Sequence, residues 1–169
     1  LLVTSQVGGL LRSRDPTTAW TPSNGALEPF PTSAGTFIDA RAIVRVGERM
    51  FMGLRGAGVA TSDDQGATWS LTTNALSDEQ VVRLVVIDDV LYALAYGKGV
   101  WRSSDDGKTW VELNAGLDSL AVMDLVRSPG GALFAAEPGA VKQLVGERFE
   151  SMAPWCLPLT NVSALSVQG

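Results

Sequence analysis

A turn of the form Ser-x-Asp-x-Gly-x-Thr-Trp, repeated at a fixed distance, and short apolar strands separated by Gly, Asp-Asp and Pro-Gly predict an all-β chain. The 169 residues read as a β-propeller of four-stranded antiparallel blades, with about four blades' worth of strands. The turn stands complete at Ser103-Ser104-Asp105-Asp106-Gly107-Lys108-Thr109-Trp110 and at Ser62-Asp63-Asp64-Gln65-Gly66-Ala67-Thr68-Trp69. A worn copy, Ser13-Arg14-Asp15-Pro16-Thr17-Thr18-Ala19-Trp20, keeps Ser, Asp and Trp and lacks the Gly. From Ser13 to Ser62 is 49 residues and from Ser62 to Ser103 is 41, while the hairpin turns at Gly47, Asp88 and Pro129 are spaced by 41 and 41. A period near forty with four strands per unit is that of a propeller blade. The apolar runs are five to seven residues long and rich in Val, Ile and aromatics, which excludes a helical reading.

In chain order, residues 1–5 form a first strand, Gly8-Gly9 a turn, Leu10-Leu11-Arg12 a second strand, and Ala19-Trp20-Thr21 a third that ends at Asn24-Gly25. Residues 26–37, with Pro29, Pro31 and Gly35, read as an irregular connection. The second unit runs through Ala42–Val46, a turn at Gly47-Glu48, Met50–Leu54, Gly56-Ala57-Gly58, Val59-Ala60-Thr61, the complete turn and Thr68–Leu71. The third repeats it, with strands over 82–87, 90–95, 100–102 and 109–113 and a turn at Asp88-Asp89. The fourth keeps the plan over 122–126, 132–136, 140–145 and 148–149 but has no complete turn, and Phe149 stands in for the Trp. Ser77-Asp78-Glu79-Gln80 resembles a helix start too short to be more than a turn.

Residues 153–159 read as a Pro-containing loop holding Trp155 and Cys156, followed by a strand over 162–167 of the kind that opens a blade. The N-terminal unit lacks such a strand, so the C-terminal one is expected to complete it and to pair two otherwise open edges. The blades are then 1–25 with 162–169, 38–76, 79–117 and 119–152, in one domain or propeller segment over 1–169. A closed four-bladed ring and an arc of a larger propeller both fit.

Composition narrows the function classes. Thirteen Lys and Arg against 18 Asp and Glu give a net charge of −5, which argues against a nucleic-acid surface. With no histidine and a single cysteine, His/Cys metal sites and His-dependent triads are out, and no metal or cofactor is expected. No apolar run approaches the ~18 residues of a spanning helix. The chain opens on Leu1 inside a strand without a charged leader, which fits a removed export signal or a segment of a longer protein.

The repeated turn resembles the Asp-box, or BNR repeat, of sialidases, sortilin-type receptor propellers, some glycoside hydrolases and the photosystem II stability and assembly factors. The residues that carry the resemblance are Ser62, Asp64, Gly66 and Trp69, then Ser103, Asp105, Gly107 and Trp110, and in the worn copy Ser13, Asp15 and Trp20. As a fold device the turn needs a short Asp to accept loop N–H groups, a Gly at positive φ and a Trp buried between sheets. Asp64 and Asp105 are read in that role rather than as acid, base or metal ligand.

Sialidase-like catalysis implies an arginine triad, an Asp acid/base, a Tyr–Glu pair and an Arg-Ile-Pro motif. Arg-Ile-Pro is missing, Tyr92 and Tyr96 share one strand region, and the arginines show no common spacing. Glu48, Glu79, Glu112, Glu137, Glu147 and Glu150 supply carboxylates that spacing alone does not pair. The resemblance therefore implies a non-catalytic propeller acting by protein–protein contact, as an accessory or assembly subunit of a larger complex, periplasmic or otherwise exported, with peripheral contact to a membrane complex. A glycan-binding or glycoside-hydrolase propeller fragment and a purely structural arc are the alternatives.

Binding is expected where the loops after second and fourth strands gather at one end of the channel, which names Arg55, Tyr96, Lys98 and Glu137 as rim residues. Trp101 is expected to pack between blades and Trp155 to serve an interface or plug the ring. Asn161-Val162-Ser163 fits a glycosylation pattern that matters only in a eukaryotic secretory setting.

Overall fold

The computed structural model describes residues 1–152 apart from 7, 16, 18, 26, 28, 29, 33 and 34. Its first sheet holds β1 (Leu2–Ser5), β2 (Gly9–Arg12) and β3 (Thr21–Pro22). A two-stranded ribbon follows, β4 (Phe30–Thr32) and β5 (Gly35–Phe37). Then come three four-stranded sheets: β6 (Ala40–Val46), β7 (Arg49–Leu54), β8 (Gly58–Ser62) and β9 (Ser70–Leu71); β10 (Val81–Ile87), β11 (Val90–Ala95), β12 (Gly99–Ser103) and β13 (Val111–Glu112); and β14 (Asp124–Arg127), β15 (Leu133–Glu137), β16 (Ala140–Val145) and β17 (Arg148–Ser151). Every pairing is antiparallel and every sheet is a meander in chain order. The first strands of the four-stranded sheets, β6, β10 and β14, stand next to one another in succession, as the innermost strands of propeller blades do, and β1, which takes the place of a second strand in the first sheet, packs against β6.

The hairpins form where the sequence punctuates them. Asp88 and Asp89 both take left-handed φ, 50° and 61°, the conformation a two-residue turn needs to match strand twist and one that Asp tolerates. The connection over 26–37, expected to be irregular, contains the β4–β5 ribbon instead. A two-stranded ribbon leaves each strand an open edge, and Pro31 is accommodated at such an edge. The strand expected over 162–167, with Trp155, Cys156 and Asn161, lies outside the described residues.

Among the described residues, three apolar cores lie between successive sheets. Leu10, Ile38, Met52, Leu54 and Trp69 join the first to the second; Phe51, Val59, Leu84, Leu91, Trp101 and Trp110 join the second to the third; Tyr92, Leu94, Val100, Leu125 and Phe149 join the third to the fourth. Because neighbouring residues of a strand point to opposite faces, Phe51 serves one interface and Met52 the other, as do Leu91 and Tyr92. That explains why the second strand of each unit is apolar without alternation.

The repeated turn is built alike in both complete copies. Ser62 Oγ accepts from the Gly66 N–H (2.8 Å) and donates to Asp64 Oδ1 (2.8 Å). Asp64 also accepts from the Thr68 hydroxyl (2.6 Å) and the Thr68 N–H (2.8 Å). Ser103, Asp105, Gly107 and Thr109 repeat these bonds at 2.6–2.9 Å. The threonine hydroxyl first, then its N–H and the serine hydroxyl, hold each carboxyl at about 2. In the worn copy Asp15 bonds Thr17, two residues on rather than four, in a tighter loop, and Trp20 is only half-buried.

Each complete turn also reaches the preceding sheet. Ser23 Oγ donates to the Gly66 carbonyl (2.7 Å) and Asn74 Nδ2 to the Gly107 carbonyl (3.2 Å), while the Trp69 indole N–H bonds the Ser23 carbonyl (3.1 Å). The turn thus clasps strands within its own sheet and ties that sheet to its predecessor.

Candidate functional site at the mouth of the innermost strands

A hollow forms where the starts of β6 and β10 meet the segment leading into β14. It is a cleft of about 520 Å³ lined by Arg41, Ile43, Arg83, Leu84, Tyr96 and Met123 among others. Both first strands carry a register shift here, between Ala40 and Ala42 and between Val81 and Arg83. Such irregularities re-aim side chains at a sheet's end. They place two guanidinium groups at the cleft amid apolar residues.

Each arginine is held from behind by a buried carboxylate. Arg41 Nη2 donates to Asp39 Oδ2 (2.9 Å), with Nε against Oδ1 of the same group. Arg83 Nη2 lies 2.9 Å from Asp124 Oδ1, and the Asp124 side chain is 1% exposed against 46% for Arg83. Neither aspartate lines the cleft, and among the described residues no carboxylate does. The hollow therefore presents two guanidinium groups over an apolar floor, each charge balanced by an aspartate outside the lining.

Of the rim residues named from the sequence, Tyr96 lines the cleft and is 67% exposed. Arg55, Tyr96 and Lys98 all contact the short segment before β10. Arg55 Nε donates to Gln80 Oε1 (2.9 Å), the Tyr96 N–H to the Gln80 carbonyl (2.9 Å), and Lys98 Nζ pairs with Glu79 (3.5 Å). Arg55 and Lys98 are thus beside the cleft rather than in its lining.

Glu137 is a correction: it is fully buried and presents nothing at the rim. Its carboxylate accepts the N–H groups of Asp118 (3.0 Å) and Ser119 (2.9 Å) and faces Lys142 Nζ at 3.4 Å. Lys142 is buried as well and also reaches Asp118 Oδ2 and the Gly116 carbonyl, each at 2.7 Å. A buried charge persists when it is paired and hydrogen-bonded, and these bonds anchor the linker into the fourth sheet.

Sequence reading missed Arg41, Arg83 and Met123. Shifting by 41 residues superposes Arg41 on Val82 and Ala42 on Arg83, so the two arginines fall one place out of register and share no spacing. A charge at the start of an otherwise apolar first strand was the available signal.

Among the described residues no three potential metal ligands come together, and no helix is long and apolar enough to cross a membrane. A family model described as the DUF6242 β-propeller domain matches residues 18–168. The chain belongs to this family. Among solved structures the DUF6242 propeller is similar to YCF48 bound to D1 peptide, with 16% identity over 88% of this chain and 50% of that one and a TM-score of 0.59. It is similar to the extracellular domain of a B. thetaiotaomicron protein named as a one-component system, at 12% identity, 96% and 21% coverage and a TM-score of 0.69. A GH74 xyloglucanase from Xanthomonas campestris resembles it at 16% identity, 90% and 28% coverage and a TM-score of 0.65. At these identities the likeness is one of fold, and the chain spans half or less of each of these structures. A comparison with curated proteins returns no match.

Proposed function

We propose that this DUF6242 propeller is a non-catalytic Asp-box β-propeller acting by protein–protein contact, an accessory or assembly subunit of a larger exported complex, and that the cleft beside Tyr96 receives the partner. The cleft carries the reading. At about 520 Å³ it lies within the roughly 300–1,000 Å³ usual for ligand sites, and its mix of apolar floor and few polar groups is theirs too. Loops at one end of a rigid scaffold are where such sites are built. The similarity to YCF48 bound to D1 peptide supports a protein ligand, and the similarity to an extracellular domain supports export.

The xyloglucanase similarity favours a glycan-active reading as the rival. Glycoside hydrolysis generally needs two carboxylates flanking the scissile bond, and the described lining of this cleft offers arginines instead.

Site-directed photo-crosslinking in the native cells tests the proposal. A photoreactive residue at Tyr96 is expected to trap a discrete protein that the same residue at exposed Val145, on β16, does not. No adduct at Tyr96, together with recovery of the chain alone at stoichiometric yield, overturns it.

A further inference from the structure

Resting on the cleft as the partner site, we propose that it recognises an acidic stretch of extended polypeptide, in which an internal Asp or Glu lies between the two arginines and an adjacent apolar side chain occupies the floor. The occupant follows from charge and shape. Arg41 and Arg83 come from neighbouring innermost strands, and the described lining contains no acidic side chain. A guanidinium carries five N–H donors in a rigid fork, and Asp124 takes Nη2 of Arg83, leaving the remainder of that fork on a side chain that is 46% exposed. Asp39 and Asp124 balance the charge of the two guanidinium groups from outside the lining and orient them, so what the cleft offers an incoming carboxylate is the N–H donors that the two aspartates do not take. Guanidinium and carboxylate match in planar, two-point geometry, which an ammonium does not reproduce.

The floor sets the second requirement. Ile43 of β6 and Leu84 of β10 line the cleft with exposed Met123, and Tyr96 adds a ring that is apolar on its face and polar at its tip. Met adapts to side chains of different shape, so the apolar neighbour is specified by class rather than by identity. The mouth is open, which suits a chain passing across it.

The experiment selects a displayed library of short random peptides on the whole chain and resynthesises the enriched sequences with both ends blocked. Enriched peptides are expected to carry Asp or Glu beside Leu, Ile, Met or Phe. Replacing that acid by Asn or Gln is expected to weaken binding by about ten- to a hundred-fold, the range for a charge-assisted pair, and raising salt to weaken the acidic form alone. Because Arg83→Met by itself removes the guanidinium that balances the buried Asp124, the paired variant R83M/D124N is used, with its melting temperature as the folding control. It is expected to lose most of the preference for acid over amide peptides, Arg41 retaining the remainder, while R83K keeps the charge and recovers only part of the affinity. The proposal is overturned if enriched peptides lack acids, if the amide forms bind as well, if only a free C-terminal carboxylate matters, or if acidic sugars compete and peptides do not. Failure of the peptides while Tyr96 crosslinks still trap a protein refutes the acidic ligand and spares the partner site; failure of both refutes both.

Discussion

Alanine at Gly66 and at Gly107 should separate two costs that equivalent positions of the repeat otherwise share. Both glycines hold left-handed φ, 83° and 75°, so a Cβ at either position costs about 1–2 kcal/mol. Reduced freedom of the unfolded chain returns about 0.4–1 kcal/mol of that. At Gly66 the added carbon meets Trp69 Cζ2 at 3.4 Å and Leu2 Cδ1 at 3.5 Å, ordinary contact distances, and Gly66→Ala should lose only about 1 kcal/mol. At Gly107 it lies 2.7 Å from Phe51 Cε1, a fully buried ring in the core between the second and third sheets. Overpacking of that kind adds about 1–3 kcal/mol, so Gly107→Ala should lose about 2–4 kcal/mol.

Urea unfolding of the two variants reads the difference, and Phe51→Leu in the Gly107→Ala background identifies its source. If the ring is responsible, a double-mutant cycle gives a coupling of about 1 kcal/mol or more in the relieving direction. Equal losses for both alanines, or strict additivity with Phe51→Leu, would refute the reasoning.

Acid should loosen the repeated turns. The Asp64 and Asp105 carboxyls are held at about 2 in the fold, below their ordinary 3.8, so their contribution is complete above the unfolded value and is lost as pH falls from about 4 towards 2. The variant D64N/D105N should show a shallower fall of stability across that window than the parent; parallel curves would mean that these carboxyls do not govern it. Lys142→Met should destabilise by about 3–5 kcal/mol, since it leaves the fully buried Glu137 without its ammonium. E137Q/K142M should recover part of the loss, because a Gln oxygen can still accept from Asp118 and Ser119. A loss below about 1 kcal/mol for the single variant would show that the pair is not what holds the linker.

What was legible in the sequence was whatever local chemistry dictates. Gly47, Asp88-Asp89 and Gly146-Glu147 announce hairpins because few residues adopt left-handed φ, and the alternation of Phe51 and Met52 or Leu91 and Tyr92 between interfaces follows from strand geometry. The cleft was less legible because it depends on pairing. Arg41 and Arg83 share a site through register shifts in β6 and β10 that no residue spacing displays. Glu137 looked like a rim residue because it follows β15's apolar run, and only the partner five positions later, Lys142 across the hairpin, makes its burial tolerable. Tyr96 was found for the opposite reason: it occupies a loop whose place is fixed by the blade plan itself.

The bonds from Ser23 to Gly66 and from Asn74 to Gly107 give the molecule a direction. Each complete turn closes on a sheet already made, so the seat for a new blade exists before its residues arrive. Growth from the N-terminus is then a ratchet in which each forty-residue increment locks the one before it, and among the described residues every sheet joins strands consecutive in the chain. A chain of this kind can be assembled in the order in which it is synthesised or threaded. Exchanging the second and third sheets would set the Gly66 turn against a unit that carries Ala115 where Asn74 stands, so that turn would lose its bond to the preceding sheet.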